Sequence, residues 1–202
     1  MKITDKFHSK FIYNRRMSQL YNHISEIIKK YNIKQILDVG AGDGKIDSMI
    51  MENNAVSITG IDVLVRDTTY IPVEKYDGSH IQKEDNSVNT LMLIDVLHHT
   101  EDPEAVFKEV CRVSNKYIII KDHILDGFIS YLKLRLMDYA GNSRFYVNLP
   151  YNYLKQKRWS QMFDANHLKI VEYKTDLNLY KGLCHLLFDS DLHFIMLLEK
   201  KE

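Results

Sequence analysis

Short apolar runs alternate with helical patterns along most of the chain. From Ser18 to Tyr31, apolar side chains recur at three- and four-residue steps, which predicts an amphipathic helix. Helical patterns also follow residue 44 and residue 102, and a helical segment is predicted at about 126–140. Runs rich in Ile, Leu, Val and Met predict buried strands at 35–40, 57–62, 90–94, 116–120, 169–174 and 193–198. This alternation predicts an α/β fold with a doubly wound, mostly parallel sheet.

Composition narrows the class of protein further. Hydrophobic residues make up 45% of the 202 residues and charged residues 27%, which is typical of a globular protein. Lys and Arg number 27, as do Asp and Glu, so no basic excess points to nucleic acid or to an anionic membrane. Two distant cysteines fit a reducing compartment, and no signal peptide or apolar run of membrane-spanning length is found. We therefore expect a cytoplasmic protein.

The sharpest motif is the stretch DVGAGDG at residues 38–44, which lies between a predicted strand and a predicted helix. Glycines allow such a turn to fold tightly and to approach a ligand closely. The backbone N–H groups of the following helix favour a negatively charged group. The next strand ends at Asp62, whose carboxylate can accept hydrogen bonds from both hydroxyls of a ribose. Together these features predict a cofactor that contains a nucleoside.

These residues resemble the class I S-adenosylmethionine-dependent methyltransferases, and in particular the type 11-like bacterial group. The resemblance rests on ILDVGAGDG at 36–44, GID at 60–62, YDG at 76–78 and DVLHHTEDP at 95–103. It implies a seven-stranded Rossmann-like methyltransferase fold with a helical lid insertion. It also implies one domain over 1–202, with an N-terminal helical segment at 1–34, a cofactor-binding core at 35–125, the lid at 126–160, and a closing helix and strands at 161–202.

The resemblance also implies roles for individual residues in binding S-adenosylmethionine. Three glycines would line its methionine part, and acids and a valine would contact its ammonium, ribose and adenine. Asp95 and Val96 would flank the sulfonium. The implied cofactor residues are Asp38, Gly40, Gly42, Gly44, Asp62, Val63, Asp77, Gly78, Asp95 and Val96.

Two other functions fit the same motifs. A nicotinamide-dependent oxidoreductase would need G-x-G-x-x-G, but Lys45 occupies the place of the third glycine. A protein that binds S-adenosylmethionine without transferring the methyl group would keep the same cofactor residues. We expect a methyltransferase that acts on a small molecule, with oxygen as the acceptor atom, although nitrogen or carbon fits the sequence as well.

An oxygen acceptor needs a general base, and His123 is our candidate. It leaves the fifth strand beside Asp122, and the pKa of about 6.5 of an unperturbed histidine suits a base. The alternative role is a helix cap or a hydrogen-bonding residue of the lid. We interpret His98 and His99 as residues that cap the loop after the fourth strand. Asp95 and Asp122 occupy places where metal-dependent O-methyltransferases carry carboxylates, but no Asn follows Asp122, so no metal ion is expected.

The two segments that the resemblance places around the acceptor carry positive charge. Lys and Arg exceed acids by 6 in residues 1–34 and by 4 in residues 126–160, whereas acids exceed bases by 10 in residues 35–110. We therefore expect an acceptor with an acidic group, bound by Arg16, Arg144 and Tyr151. Arg16 could instead pair with the carboxylate of the cofactor, and ordinary helix packing explains the insertion equally well.

Overall fold

A computed structural model of the protein describes residues 3–142, 149–188 and 192–201. Within these ranges the helices are α1 (Ile3–Lys30), α2 (Lys45–Asn53), α3 (Pro103–Val113), α4 (Gly127–Asn142), α5 (Gln156–Ala165) and α6 (Gly182–Phe188), with a 3-10 turn at Leu97–His99. The strands are β1 (Gln35–Val39), β2 (Ser57–Asp62), β3 (Val73–Lys75), β4 (Val88–Ile94), β5 (Ser114–His123), β6 (Leu168–Lys174) and β7 (His193–Lys200).

The seven strands form one sheet in the order β3-β2-β1-β4-β5-β7-β6. Neighbouring strands from β3 to β5 pair in parallel, whereas β7 runs antiparallel to both β5 and β6. The strand order reverses between β1 and β4, and in such sheets ligands bind beyond the carboxyl ends of the strands at this point. The predicted doubly wound, seven-stranded and mostly parallel sheet is confirmed.

The apolar periodicity missed one strand and one helix. β3 is a strand of three residues that are partly or fully exposed, so it has no apolar run to reveal it. α6 is a helix of only seven residues near the end of the chain. β5 is longer than the predicted run 116–120, because Ser114 and Asn115 precede that run and the buried polar residues Lys121, Asp122 and His123 continue the strand beyond it.

Two apolar layers cover the sheet. One layer packs α3 and α5 against it through side chains such as Phe107, Val110, Trp159 and Phe163. The other packs α1 and α2 against the opposite face through Leu20, Ile24, Ile27 and Ile50. Trp159 is 2% exposed, and its indole N–H donates to the carbonyl oxygen of His123 at 3.2 Å. This tryptophan is therefore a core residue that also fixes the end of β5.

Helix α4 lies in the predicted insertion and buries only a few of its side chains. Leu134 is fully buried, and Asp138 is 5% exposed. Phe128 and Ile129, in contrast, are more than 70% exposed. Neither α4 nor any other helix in the described ranges is long and apolar enough to cross a membrane.

Replacing Phe107 with Ala should lower the free energy of unfolding by about 3–5 kcal/mol, because the cavity forms in a fully buried layer where Phe107 packs against Phe163. Urea unfolding followed by circular dichroism measures the change. Phe128→Ala is the matched control, since that ring is 72% exposed, and its effect should stay within about 0.5 kcal/mol. Equal losses in the two variants would contradict the assignment of the core.

Candidate functional site

The turn between β1 and α2 packs tightly on two sides and is open on the third. Gly40, Gly42 and Gly44 all have positive φ angles, of 81°, 62° and 69°, which side-chain-bearing residues rarely adopt. A Cβ atom at Gly40 would lie 2.6 Å from Val96 Cγ2, and one at Gly44 would overlap Ile71. A Cβ at Gly42 would meet no atom within 4 Å. The middle glycine therefore faces open space at the carboxyl edge of the sheet.

The end of β2 is fastened to this turn by Asp62. Its Oδ2 accepts a hydrogen bond from the backbone N–H of Gly42 at 2.8 Å, and its Oδ1 accepts one from Leu64 at 2.8 Å. Val63 is 52% exposed beside this carboxylate. A Cβ at Gly78 would lie 3.1 Å from a methyl carbon of Val63, so the ends of β2 and β3 adjoin. The predicted ribose and adenine residues thus share one exposed edge.

Asp77 follows β3 and accepts hydrogen bonds on one oxygen only. Its Oδ1 accepts from the backbone N–H groups of Ser79 and His80, both at 2.7 Å, and from the Ser79 hydroxyl at 2.9 Å. These hydrogen bonds lower the pKa of Asp77 to about 2. The carboxylate is ionised and exposed, and its orientation is set by the loop that it caps.

A buried pair of carboxyl groups lies behind the glycine turn. Asp38 of β1 is 2% exposed and Asp47 of α2 is fully buried, and among the described residues Oδ1 of Asp38 and both carboxyl oxygens of Asp47 have no hydrogen-bond partner. Burial, followed by the nearby charge of Asp47, raises the pKa of Asp38 well above its usual value, and Asp62 adds to this. Burial likewise raises the pKa of Asp47 to about 6, and Asp43 adds to this. The pair therefore holds a proton more readily than exposed aspartates do.

The carboxylate of Asp95, at the end of β4, forms ion pairs with two side chains. Arg16 of α1 donates to its Oδ2, and the fully buried ammonium of Lys121 donates to its Oδ1 at 2.5 Å. Burial alone would raise the pKa of Asp95, but Lys121 and Arg16 hold it well below its usual range. Lys121 also lies 3.1 Å from Nδ1 of His193. Asp95 is thus ionised, and two positive groups share its single charge.

Asp122 organises two histidines at the end of β5. Nδ1 of His98 lies 2.6 Å from its Oδ1, and Nδ1 of His123 lies 3.3 Å from the same oxygen. Burial would lower the pKa of His98, but Asp122 and Asp138 offset this and raise it to about 10. Burial lowers the pKa of His123 well below 6.5, and Lys121 and His98 add to this. His98 is therefore charged and His123 neutral, although their rings are 4.6 Å apart.

Helix α4 and the segment before α5 close over this cluster. The Tyr153 hydroxyl donates to Asp138 of α4, and Asp138 Oδ2 lies 3.4 Å from Nε2 of His98. The guanidinium of Arg135 lies 4.6 Å from the ring of Tyr151. Tyr151 therefore lies beside α4, whereas Arg144 lies outside the described residues.

The structure brings the predicted residues together and adds others that sequence reasoning missed. Asp95, Val96, His123 and Arg16 converge on the carboxyl edge of β4 and β5, next to the glycine turn. The added residues are Asp47, Lys121, Asp138, Tyr153 and His193. Polar residues within otherwise apolar runs, as at 121–123, were the one available signal. His193 is paired with His123 only through the antiparallel register of β7, which no local pattern reveals.

Comparison with solved structures agrees with this fold. A protein from Pyrococcus horikoshii superposes with a TM-score of 0.67 at 16% identity, covering 94% of this chain and 91% of its own. The YcgJ protein of Bacillus subtilis superposes with a TM-score of 0.63 at 14% identity, covering 89% of this chain and 99% of its own. An S-adenosylmethionine-dependent methyltransferase from Methanosarcina mazei superposes with a TM-score of 0.60 at 19% identity, covering 86% of this chain and 96% of its own. No curated protein matches the chain.

A family model decides the class of protein. The model described as a methyltransferase domain matches residues 10–173, which is most of the chain. The match includes the glycine turn, Asp62, Asp95 and His123, and it decides against the nicotinamide alternative, as Lys45 in the place of the third glycine already indicated. The chain thus belongs to the methyltransferase-domain family and is an S-adenosylmethionine-dependent methyltransferase.

Proposed function

We propose that the protein transfers a methyl group to an oxygen atom of a small molecule that carries an acidic group. The observation that carries this proposal is the neutral, buried imidazole of His123. Its Nδ1 faces Asp122, and its Nε2 is buried without a hydrogen-bond partner among the described residues. This is the arrangement that a general base requires, because one nitrogen is oriented and the other keeps a lone pair.

The cofactor would lie across the carboxyl edge of β1, β2 and β3. The open face of Gly42, the Oδ1 of Asp38, which has no hydrogen-bond partner in the described ranges, and the exposed carboxylate of Asp77 fit its amino-acid and adenosine ends. Gly40, Gly44 and Gly78 would keep the backbone close to it, Asp62 would bind its ribose, and Val63 would pack on its adenine. Asp95 and Val96 would lie at its sulfonium end. When bound, S-adenosylmethionine supplies a methyl group that is already activated for displacement.

His123 would take the proton from the acceptor hydroxyl as the C–O bond to the methyl carbon forms and the bond from that carbon to the cofactor sulfur breaks, so that S-adenosylhomocysteine leaves. Nδ1–H of its neutral ring donates to Asp122, which leaves Nε2 as the acceptor of that proton. Asp122 then stabilises the imidazolium that forms. Because burial, together with Lys121 and His98, lowers the pKa of His123, the ring is neutral at physiological pH.

The acidic group of the acceptor would meet the surplus positive charge around Asp95. Arg16 and Lys121 both pair with this one carboxylate, so the three groups together carry one positive charge. The Arg16 side chain is 27% exposed and can therefore be reached by a ligand. Arg144 and Tyr151 would complete the acceptor site from the insertion.

A protein of the same fold need not transfer a methyl group. The [4+2]-cyclase SpnF superposes with a TM-score of 0.60 at 14% identity, over 88% of this chain. The alternative function is therefore binding of S-adenosylmethionine without methyl transfer. Incubation with methyl-labelled cofactor and fractionated small-molecule extracts separates the two. Label in an acidic product, at an oxygen located by NMR, supports the proposal, whereas tight binding of S-adenosylhomocysteine without any labelled product favours the alternative.

Asp47→Asn should stabilise the protein at neutral pH. The pKa of Asp47, about 6, exceeds the value of about 3.9 for an unfolded aspartate. The folded state therefore holds the extra proton between about pH 4 and pH 6, and the contribution of the pair to stability falls as the pH rises through that range. Relative to the native protein, the variant should gain on the order of 2 kcal/mol at pH 7.5 and little at pH 4.

Urea unfolding at both pH values measures this difference. Asp67→Asn is the control, because Asp67 is exposed and its replacement should change stability little at either pH. A gain for Asp47→Asn that is the same at pH 4 and pH 7.5 would show that the buried pair does not hold the proton.

His123→Gln should lower turnover by about 100- to 10,000-fold, because the acceptor proton then has no base. Calorimetry should show that S-adenosylhomocysteine binds the variant within about threefold of the native affinity, since the proposed base does not bind the cofactor. Single-turnover assays on the labelled acceptor measure the rate. An unchanged rate on that acceptor would remove His123 from the mechanism.

Arg16→Gln should raise KM for the acidic acceptor by about 10-fold or more and should change KM for its neutral amide far less. The neighbouring Arg15→Gln is the matched control, because Arg15 donates to Asn178 instead of Asp95. Steady-state kinetics with the acid and with the amide give the ratio of variant to native KM for each of the two variants. Equal effects of Arg16→Gln on both acceptors would contradict a charge contact with the substrate.

A further inference from the structure

A group of potential metal ligands lies beside His123, where the 3-10 turn meets α4. His98, His99 and Asp138 each offer one ligand atom, and the three atoms lie within 4.8 Å of one another. Nε2 of His98 and Oδ2 of Asp138 are 3.4 Å apart, beyond the usual hydrogen-bond range of about 2.7–3.2 Å. Two ligands of a tetrahedral ion, each about 2.0–2.1 Å from it, are separated by about 3.3 Å. The spacing therefore suits an ion between these two atoms.

His98 and His99 each have a ring nitrogen that could bind a metal ion. Nε2 of His98 and Nδ1 of His99 are buried, and neither has a hydrogen-bond partner in the described part of the chain. The whole His98 residue is 2% exposed. Because buried polar atoms are normally hydrogen-bonded, two adjacent histidines with unpartnered nitrogens point to a ligand.

The surrounding groups orient these ligands as in known metal sites. Nδ1 of His98 is 2.6 Å from Asp122, and a metal-binding histidine usually donates its second ring N–H to a carboxylate. In the neutral form of His98, which a metal ion requires, this contact leaves Nε2 with a lone pair. The Tyr153 hydroxyl donates to Oδ2 of Asp138 and so orients the carboxylate.

The distribution of charge favours a metal ion at His98, His99 and Asp138 over one at a neighbouring group of potential ligands. Asp95, His98, Asp122 and His123 also lie within 4.8 Å of one another, but the Lys121 ammonium is 2.5 Å from Asp95 and would repel a cation. Asp122 and Asp138 carry two negative charges, and an imidazolium at His98 balances one of them. A divalent ion bound by neutral histidines balances both.

We propose that His98, His99 and Asp138 bind a divalent transition-metal ion, with Zn²⁺ as the best fit for two imidazoles and one carboxylate. The ion fastens α4 to the turn after β4, in which the His98 ring packs against the ring of His123. The sequence alone predicts no metal ion, because the pair His98-His99 is interpreted as a cap of the loop after β4 and no Asn follows Asp122. One of the three ligands, Asp138, comes from α4, which follows the two histidines in the chain. The existence of the site does not depend on the proposed acceptor.

The test is a calorimetric titration of the full-length, chelator-treated protein with Zn²⁺, alongside thermal unfolding with and without the ion. The native protein should bind one equivalent, and its melting temperature should rise. His99→Gln and Asp138→Asn should each weaken binding by about 100-fold or more and abolish the rise. His80→Gln is the matched control, because it removes an exposed histidine that pairs with Glu109, and it should bind as the native protein does.

Two results would overturn the site. One is the absence of a stoichiometric Zn²⁺ site in the folded native protein. The other is binding that survives both His99→Gln and Asp138→Asn but is lost in Asp95→Asn, which would place the ion in the neighbouring cluster. If Asp138→Asn does not fold, His99→Gln decides alone, since His99 is only partly buried. The binding assay contains no acceptor, so its outcome is independent of the proposed methyl transfer.

Discussion

The carboxylate of Asp122 is the contact on which the proposed active site depends. It accepts hydrogen bonds from the backbone N–H groups of Leu97 at 3.2 Å and His123 at 2.8 Å, and it contacts the rings of His98 and His123. One buried side chain thus joins β5 to the turn after β4 and orients two imidazoles. Removing it would leave His98 as a buried charge with one partner fewer, which is costly in a low-dielectric interior.

The two histidines next to Asp122 differ in charge because their surroundings differ. His98 lies between two carboxylates, Asp122 and Asp138, which outweigh the cost of burying its charge. His123 shares Asp122 but is also close to Lys121 and to the charged His98, so its neutral form is favoured. Two identical side chains can therefore serve different purposes, one as a structural cation or metal ligand and the other as a base.

The segregation of charge along the chain is partly explained by contacts within the fold. Arg16 comes from the basic N-terminal segment, and its partner Asp95 comes from the acidic segment. Part of the positive charge at the active-site edge is therefore matched inside the protein. Arg16 and Lys121 together exceed the charge of Asp95 by one, and the insertion adds Arg135 near Tyr151. The proposed acidic acceptor would bind to this excess.

The sequence predicted the features that repeat locally, and it missed those that depend on distant pairing. Six of the seven strands and the glycine turn follow from apolar runs and from the positive φ angles that glycine allows. β3 lacks an apolar run because it is a short edge strand. The contact of Asp38 with Asp47 depends on how α2 packs on β1, and the place of His193 depends on the register of an antiparallel strand.

A crystal structure with S-adenosylhomocysteine and the acceptor tests the central claim most directly. The account predicts that the sulfur lies at the end of β4 beside Asp95 and that the acceptor oxygen lies about 2.6–3.2 Å from Nε2 of His123. An acceptor oxygen that contacts another side chain, with Nε2 of His123 still enclosed by protein, would contradict it.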